Sequence, residues 1–223
     1  MVTASHPDPR ARLASARLYL VTPADPPAGR LDRLLPALFD AGVDIVQLRE
    51  KHMEARPLIA AAEIVRRRAW EAEALFIVND RVDVAIAAGA DGVHLGQNDL
   101  PTHEARRQMG PGALIGLSTH SEDQILASAT SAADYIAVGP VHATPTKPGR
   151  PAVGNALVRF AVASSSRPFF AIGGIGPSTL PETIAGGARR VAVVRAVTEA
   201  EDPVEAARTM RALLDEAWRA EYA

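Results

Sequence analysis

Short aliphatic runs recur along this 223-residue chain at intervals of roughly 20–30 residues, with stretches of helical spacing between them. The runs are 18–22, 43–48, 74–78, 92–95, 114–117, 135–138, 169–172 and 191–194. Most lack the polar alternation of a half-exposed strand, which is the pattern of strands covered on both faces. Helices are expected over 31–41, 56–72, 82–88, 124–133 and 203–218. The last carries a stripe of Val204, Ala207, Met210, Leu213, Leu214 and Trp218. Ala41-Gly42, Ala88-Gly89 and Gly186-Gly187 read as helix stops. Strand–helix repetition builds βα units on a parallel sheet. About eight such units in this length predict a single-domain α/β fold, a (β/α)8 TIM barrel, with a doubly wound open sheet as the rival.

Composition narrows the function classes. Hydrophobic residues make up 48% and aromatics only 4%, so the core is large and aliphatic. The net charge of −2, with no basic block, argues against a nucleic-acid or membrane surface. There is no cysteine, which removes thiol catalysis, thiolate metal sites and disulfides and is compatible with the cytoplasm, the expected location. No apolar run approaches a membrane span. Residues 1–16 are mostly small and polar, contain Pro7 and Pro9, and lack the apolar centre of a secretory signal. They are expected to be a flexible N-terminal segment ahead of a barrel domain over 17–223.

In such a barrel the site forms where the strands end. The second run ends in charge, and alternation along a strand sets Gln47, Arg49 and Lys51 on one face in line with Ile45. Two cations and an amide on one face call for an anion. Asn79 and Asp80 follow the third run, and Asp99 follows the fourth. Two carboxylates on neighbouring units suit Mg2+ with a diphosphate. The competing reading makes Asp80 and Asp99 helix N-caps. Ser118, Thr119 and His120 follow the fifth run, and Ser121 with Gln124 matches a capping box. After the sixth run comes a long Pro- and Gly-bearing connection with Thr144, Pro145, Thr146 and Lys147, rich in phosphate donors. Gly173-Gly174 follows the seventh run and Arg195 the eighth, where this fold commonly cradles a phosphate. Two phosphate regions emerge, a metal-linked diphosphate and a monophosphate.

The same residues resemble the thiamine phosphate synthase family. The motifs are Leu-Tyr-Leu-Val-Thr at 18–22, Val-Gln-Leu-Arg-Glu-Lys at 46–51, Val-Asn-Asp-Arg-Val-Asp at 78–83, Gly-Val-His-Leu-Gly-Gln at 92–97 with Asp99, Gly139-Pro140 with Thr144 to Lys147, and Ile-Gly-Gly-Ile at 172–175. The resemblance implies a Mg2+-dependent transferase acting on two small-molecule substrates, a hydroxymethylpyrimidine diphosphate and a thiazole monophosphate. It implies that Gln47, Leu48, Arg49, Glu50, Lys51, Asn79, Ser118 and Lys147 hold the pyrimidine diphosphate, with Arg49, Lys51, Ser118 and Lys147 acting in catalysis. Asp80 and Asp99 would hold Mg2+. Thr144, Pro145, Thr146, Gly174, Val194 and Arg195 would hold the thiazole phosphate. A homo-oligomer is left open. Thr22-Pro23 departs from the family's Val-Thr-Asp, Arg195 from its usual Ser, and Gly154-Asn155-Ala156 from its usual Gly-Leu. Two rivals share the fold: a thiazole tautomerase, in which His120 would be the acid/base, and an inactive barrel that binds thiazole phosphate.

Overall fold

The computed structural model describes residues 8–144 and 151–221. Eight parallel strands close into a barrel in sequence order: β1 (Leu18–Thr22), β2 (Ile45–Leu48), β3 (Leu75–Asn79), β4 (Gly92–Leu95), β5 (Leu114–Thr119), β6 (Tyr135–Val138), β7 (Phe169–Ile172) and β8 (Val191–Val193). The helices are α1 (Pro9–Ser15), α2 (Leu31–Asp40), α3 (Ala55–Glu71), α4 (Val82–Ala88), α5 (Thr102–Met109), α6 (Glu122–Ser128), α7 (Gly154–Ser164), α8 (Leu180–Ala185), α9 (Arg195–Thr198) and α10 (Pro203–Glu221). Pairing of β1 with β8, Tyr19 opposite Ala192, closes the ring and excludes the open sheet.

Alternation along each strand sorts the side chains into two layers. Leu18, Leu20, Val46, Leu48, Phe76 and Val78 face outward and pack under the helices. Tyr19, Val21, Ile45, Leu75, Ile77, Leu114, Tyr135 and Phe170 face inward and fill the barrel. Each fully buried aliphatic side chain contributes about 1.5–3 kcal/mol, so both layers hold the fold and neither can slip by one residue.

Three acids stitch the barrel floor. Asp44 stands before β2 and accepts the N–H groups of Arg17 (2.7 Å) and Leu18 (3.0 Å). Asp91, before β4, accepts that of Phe76 (2.8 Å), and Asp134, before β6, that of Ile115 (2.8 Å). Each acid thus grips the start of the preceding strand. Each also meets an arginine: Arg211 at Asp44 (2.8 Å), Arg12 at Asp91 (2.6 Å) and Arg10 at Asp134 (3.1 Å).

Two of those arginines come from α1, and this corrects the expectation that residues 1–16 are flexible throughout. Asp8 caps α1 by accepting the Arg10 N–H, Pro9 opens it, and Leu13 is buried in the inner layer. Short polar composition hid this helix, because what orders it lies on distant strands.

Candidate active site

At the end of β2, Gln47 points into the barrel and is buried, and Arg49 and Lys51 lie beyond it on the rim. The Arg49 N–H donates to the Thr22 carbonyl (2.9 Å), which continues the β1–β2 pairing past the strand. Arg49 lines a cavity of about 460 Å3 together with Thr22, Pro23, Arg195 and Glu199. Leu48 and Glu50 point elsewhere. Leu48 sits in the outer core, and Oε1 of Glu50 accepts the Ala24 N–H (2.7 Å), which anchors the loop after β1. Neither side chain faces the barrel mouth, because both stand on the opposite parity to Gln47.

Asp80 follows β3 with φ of +60°, a left-handed conformation uncommon outside glycine. It is not a helix cap. The residue capping α4 is Arg81, and it makes no side-chain cap bond. The Asp80 N–H instead donates to the His94 carbonyl (2.9 Å), and Oδ2 meets Nζ of Lys51. Asp99 does not cap α5 either, a position held by Pro101. Its Oδ2 accepts the Gly96 N–H (2.7 Å), closing the turn after β4. The two acids therefore stand side by side, free of the capping roles that competed for them. Burial raises the Asp80 carboxyl above its ordinary value, Lys51 opposes that rise, and Asp99 adds to it.

Among the described residues no group of three or more His, Asp or Glu is placed to hold a metal ion on its own. The donor set is two carboxylates with no histidine or thiolate. That set fits a hard cation which fills its remaining positions with water and phosphate oxygens. It does not fit a softer metal that needs a complete protein cage. Asp83 plays no part here; it is held by Arg81 (2.6 Å), which lowers its carboxyl below the ordinary value.

Asn79, the last residue of β3, is buried, and its Nδ2 has no hydrogen-bond partner among the described residues. A buried amide left unpaired costs about 1–3 kcal/mol, so it reads as a donor awaiting a ligand.

Below these groups a polar chain joins Gln47 to Ser118 through Tyr19, Tyr135 and His94, three residues to which sequence reading gave no role. Nε2 of Gln47 donates to the Tyr19 hydroxyl (2.6 Å), which lies 2.9 Å from the Tyr135 hydroxyl. That hydroxyl lies 3.2 Å from Nδ1 of His94, whose Nε2 is 2.9 Å from Oγ of Ser118. Burial pushes both phenols well above their ordinary values, so both stay protonated. Phe170 meets each tyrosine ring edge to face. Gly116 makes the room, since a Cβ there would lie 2.3 Å from Cζ of Tyr135 and 2.4 Å from Nδ1 of His94. The available signal was parity: Tyr19 and His94 interrupt aliphatic runs at inward positions.

The other half of the mouth is a cavity of about 370 Å3 over the ends of β5 to β8. Thr144, Gly173, Gly174, Val194 and Arg195 line it, with His120 on its edge. Gly174 has φ of +64°, and a Cβ there would lie 2.7 Å from Cβ of His142 and 2.8 Å from the Ala143 carbonyl. The loop after β6 thus rests directly on the loop after β7. Nδ1 of His120 is 2.5 Å from the Gly139 carbonyl, and the His120 backbone N–H donates to Oε1 of Gln124 (2.7 Å). The Ser121 cap holds, with Oγ accepting the Gln124 N–H (3.3 Å), while the return bond reaches His120 and not Ser121. Arg195 lies 3.5 Å from Glu199. Pro145, Thr146 and Lys147 lie outside the described residues. No described helix is long and apolar enough to cross a membrane.

Comparison with known proteins agrees with this geometry. The family model for thiamine monophosphate synthase matches residues 18–197. A thiamine-phosphate synthase of Mycobacterium ulcerans is 51% identical over 213 residues, covering 91% of this chain and 97% of that protein. One from Gloeobacter violaceus is 52% identical over 201 residues, covering 90% of this chain and 58% of that protein. The solved structure of a thiamine phosphate pyrophosphorylase from Pyrococcus furiosus superposes with a TM-score of 0.83 at 32% identity, covering 93% of this chain and 98% of its own.

Proposed function

The chain belongs to the thiamine monophosphate synthase family, and we propose that it joins 4-amino-2-methyl-5-hydroxymethylpyrimidine diphosphate to hydroxyethylthiazole phosphate, or its carboxylated form, giving thiamine phosphate and pyrophosphate. It is an enzyme of the transferase class. The observation that supports this substrate pair is the divided mouth. Paired acids and two cations stand over β2 to β4, and a glycine-lined cavity stands over β5 to β8.

Gln47 is suited to the amino edge of the pyrimidine, and Asn79 adds a donor beside it. Arg49 and Lys51 meet the diphosphate. Asp80 and Asp99 are the oxygen ligands that Mg2+ would take, and the bound ion would offset the charge gathering on the departing diphosphate. Thr144, Gly174, Val194 and Arg195 surround the thiazole phosphate; Pro145, Thr146 and Lys147 join the site by resemblance alone.

The thiazole nitrogen is a weak nucleophile. The favoured order is therefore loss of the diphosphate from the pyrimidine methylene, leaving a ring-stabilised cation, followed by carbon–nitrogen bond formation. The side chains act by positioning and by electrostatics, with no covalent attachment to the protein. The absence of cysteine is consistent with that.

The test is incubation with both substrates and Mg2+. Thiamine phosphate and pyrophosphate are expected in equal amounts. Isomerisation of a thiazole carboxylate phosphate without pyrophosphate would make the chain a tautomerase. Thiazole phosphate binding with no turnover would make it an inactive barrel.

A further inference from the structure

The buried chain from Gln47 to Ser118 joins the two ends of the pyrimidine region through three residues that no motif reading assigned. Its polarity follows from counting protons. An amide N–H can only donate, so the Tyr19 hydroxyl accepts from Gln47. Tyr19 then has one proton to give, and the Tyr135 hydroxyl is its buried neighbour. Were Tyr135 to donate to Tyr19 instead, the Tyr19 proton would be left without an acceptor in a dry interior, which buried polar groups avoid. Tyr135 therefore passes its own proton toward Nδ1 of His94. A neutral imidazole that accepts at Nδ1 carries its hydrogen on Nε2, and that nitrogen faces Oγ of Ser118. Ser118 accepts there, and its single proton is left to point outward.

We infer that this chain is a one-way hydrogen-bond relay that presents Gln47 to the ligand through its carbonyl oxygen and Ser118 through its hydroxyl proton. Tyr19, Tyr135 and His94 are then positioning residues. They decide what the barrel mouth accepts and what it donates without touching the ligand. The ligand class this polarity selects is an aminopyrimidine whose exocyclic N–H2 meets Oε1 of Gln47. The 4-oxo analogue would set a carbonyl against that oxygen. Gly116 belongs to the device, since any side chain there would occupy the Tyr135–His94 contact.

The ligand half of this inference rests on the proposed pyrimidine diphosphate reading, and the relay half does not, so the experiment separates them. Nitrogen-15 NMR of the ligand-free full chain, with His94 signals assigned by their loss in His94→Gln, reads the tautomer directly. The Nε2–H form is expected, and the Nδ1–H form would overturn the relay. The second measurement compares kcat/KM for the 4-amino and 4-oxo hydroxymethylpyrimidine diphosphates. In Tyr19→Phe the Gln47 amide loses its acceptor and is free to turn over. The preference for the amino substrate is expected to fall by about tenfold or more, chiefly through KM. An unchanged ratio, with both substrates slowed alike, would reduce Tyr19 to packing and overturn the specificity role. A parent chain that makes no thiamine phosphate would refute the functional reading, and the tautomer would still decide the relay.

Discussion

Lys51 and Asp80 meet across the mouth of the barrel, Nζ against Oδ2, although 29 residues separate them in the chain. The contact exists because β2 and β3 are neighbours in register, Leu48 opposite Val78, so the loops that follow them leave side by side. Asp80 leaves in a left-handed conformation that aims its carboxylate at Lys51 and Asp99 and away from the helix it precedes. A carboxylate so buried carries some cost to the ligand-free fold.

That cost has a sign. The Asp80 carboxyl is raised, first by burial. A raised group contributes stability that is present below its unfolded value and is lost as pH rises through its folded value. Asp80→Asn removes this titration. In chelator, the variant should gain on the parent in melting temperature as pH goes from about 4 to about 8, while losing synthase activity. Thermal melts across that range check it; a parent that gains on the variant refutes it.

Asp99→Asn tests the metal reading from the other acid. Mg2+ with inorganic pyrophosphate at a hundredfold excess over its dissociation constant should stabilise the parent by about 2.7 kcal/mol. The variant should show little of that gain. Equal stabilisation of both chains would remove Asp99 from the cation site.

Gly116→Ala forces a methyl into the space shared by Tyr135 and His94. Overpacking should destabilise the fold by about 1–3 kcal/mol and displace Ser118 from its imidazole partner. Denaturant melts and KM for the pyrimidine diphosphate together check this, and both are expected to worsen. Unchanged KM would detach Ser118 from the pyrimidine site.

Leu13→Ala leaves a hole in the barrel floor, far from the mouth. The expected loss is about 2–5 kcal/mol of stability with kcat unchanged below the melting transition. A loss under about 0.5 kcal/mol, the usual range for surface changes, would return α1 to the status of a loose terminal segment.

Local periodicity carried the strands a long way. Four expected runs coincide with β1, β4, β6 and β7, and the others shift by one or two residues at their ends. Among the helices, α1, α5, α7, α8 and α9 were not marked. The hydrophilic α5 buries one residue, Ala105, and α8 and α9 are brief, so neither kind offers a periodic stripe. The side on which Gln47 stands was legible from parity with Ile45, and so was the nearness of Asp80 and Asp99 on adjacent units.

Order along the chain and the alternation of side chains are local properties, so a linear reading reaches them. It reached the eight βα units, the end of the barrel that carries chemistry, and the residue types gathered there. Closure, register and the burial of single polar groups depend on which strands lie opposite one another. Only the folded barrel brings the Tyr19 and Tyr135 hydroxyls within 2.9 Å across 116 residues, or seats Arg12 of α1 on Asp91. The same non-local packing moved Asp80 and Asp99 out of their capping roles. Each of those outcomes turns on contacts between segments far apart in sequence, where no local periodicity records the partner.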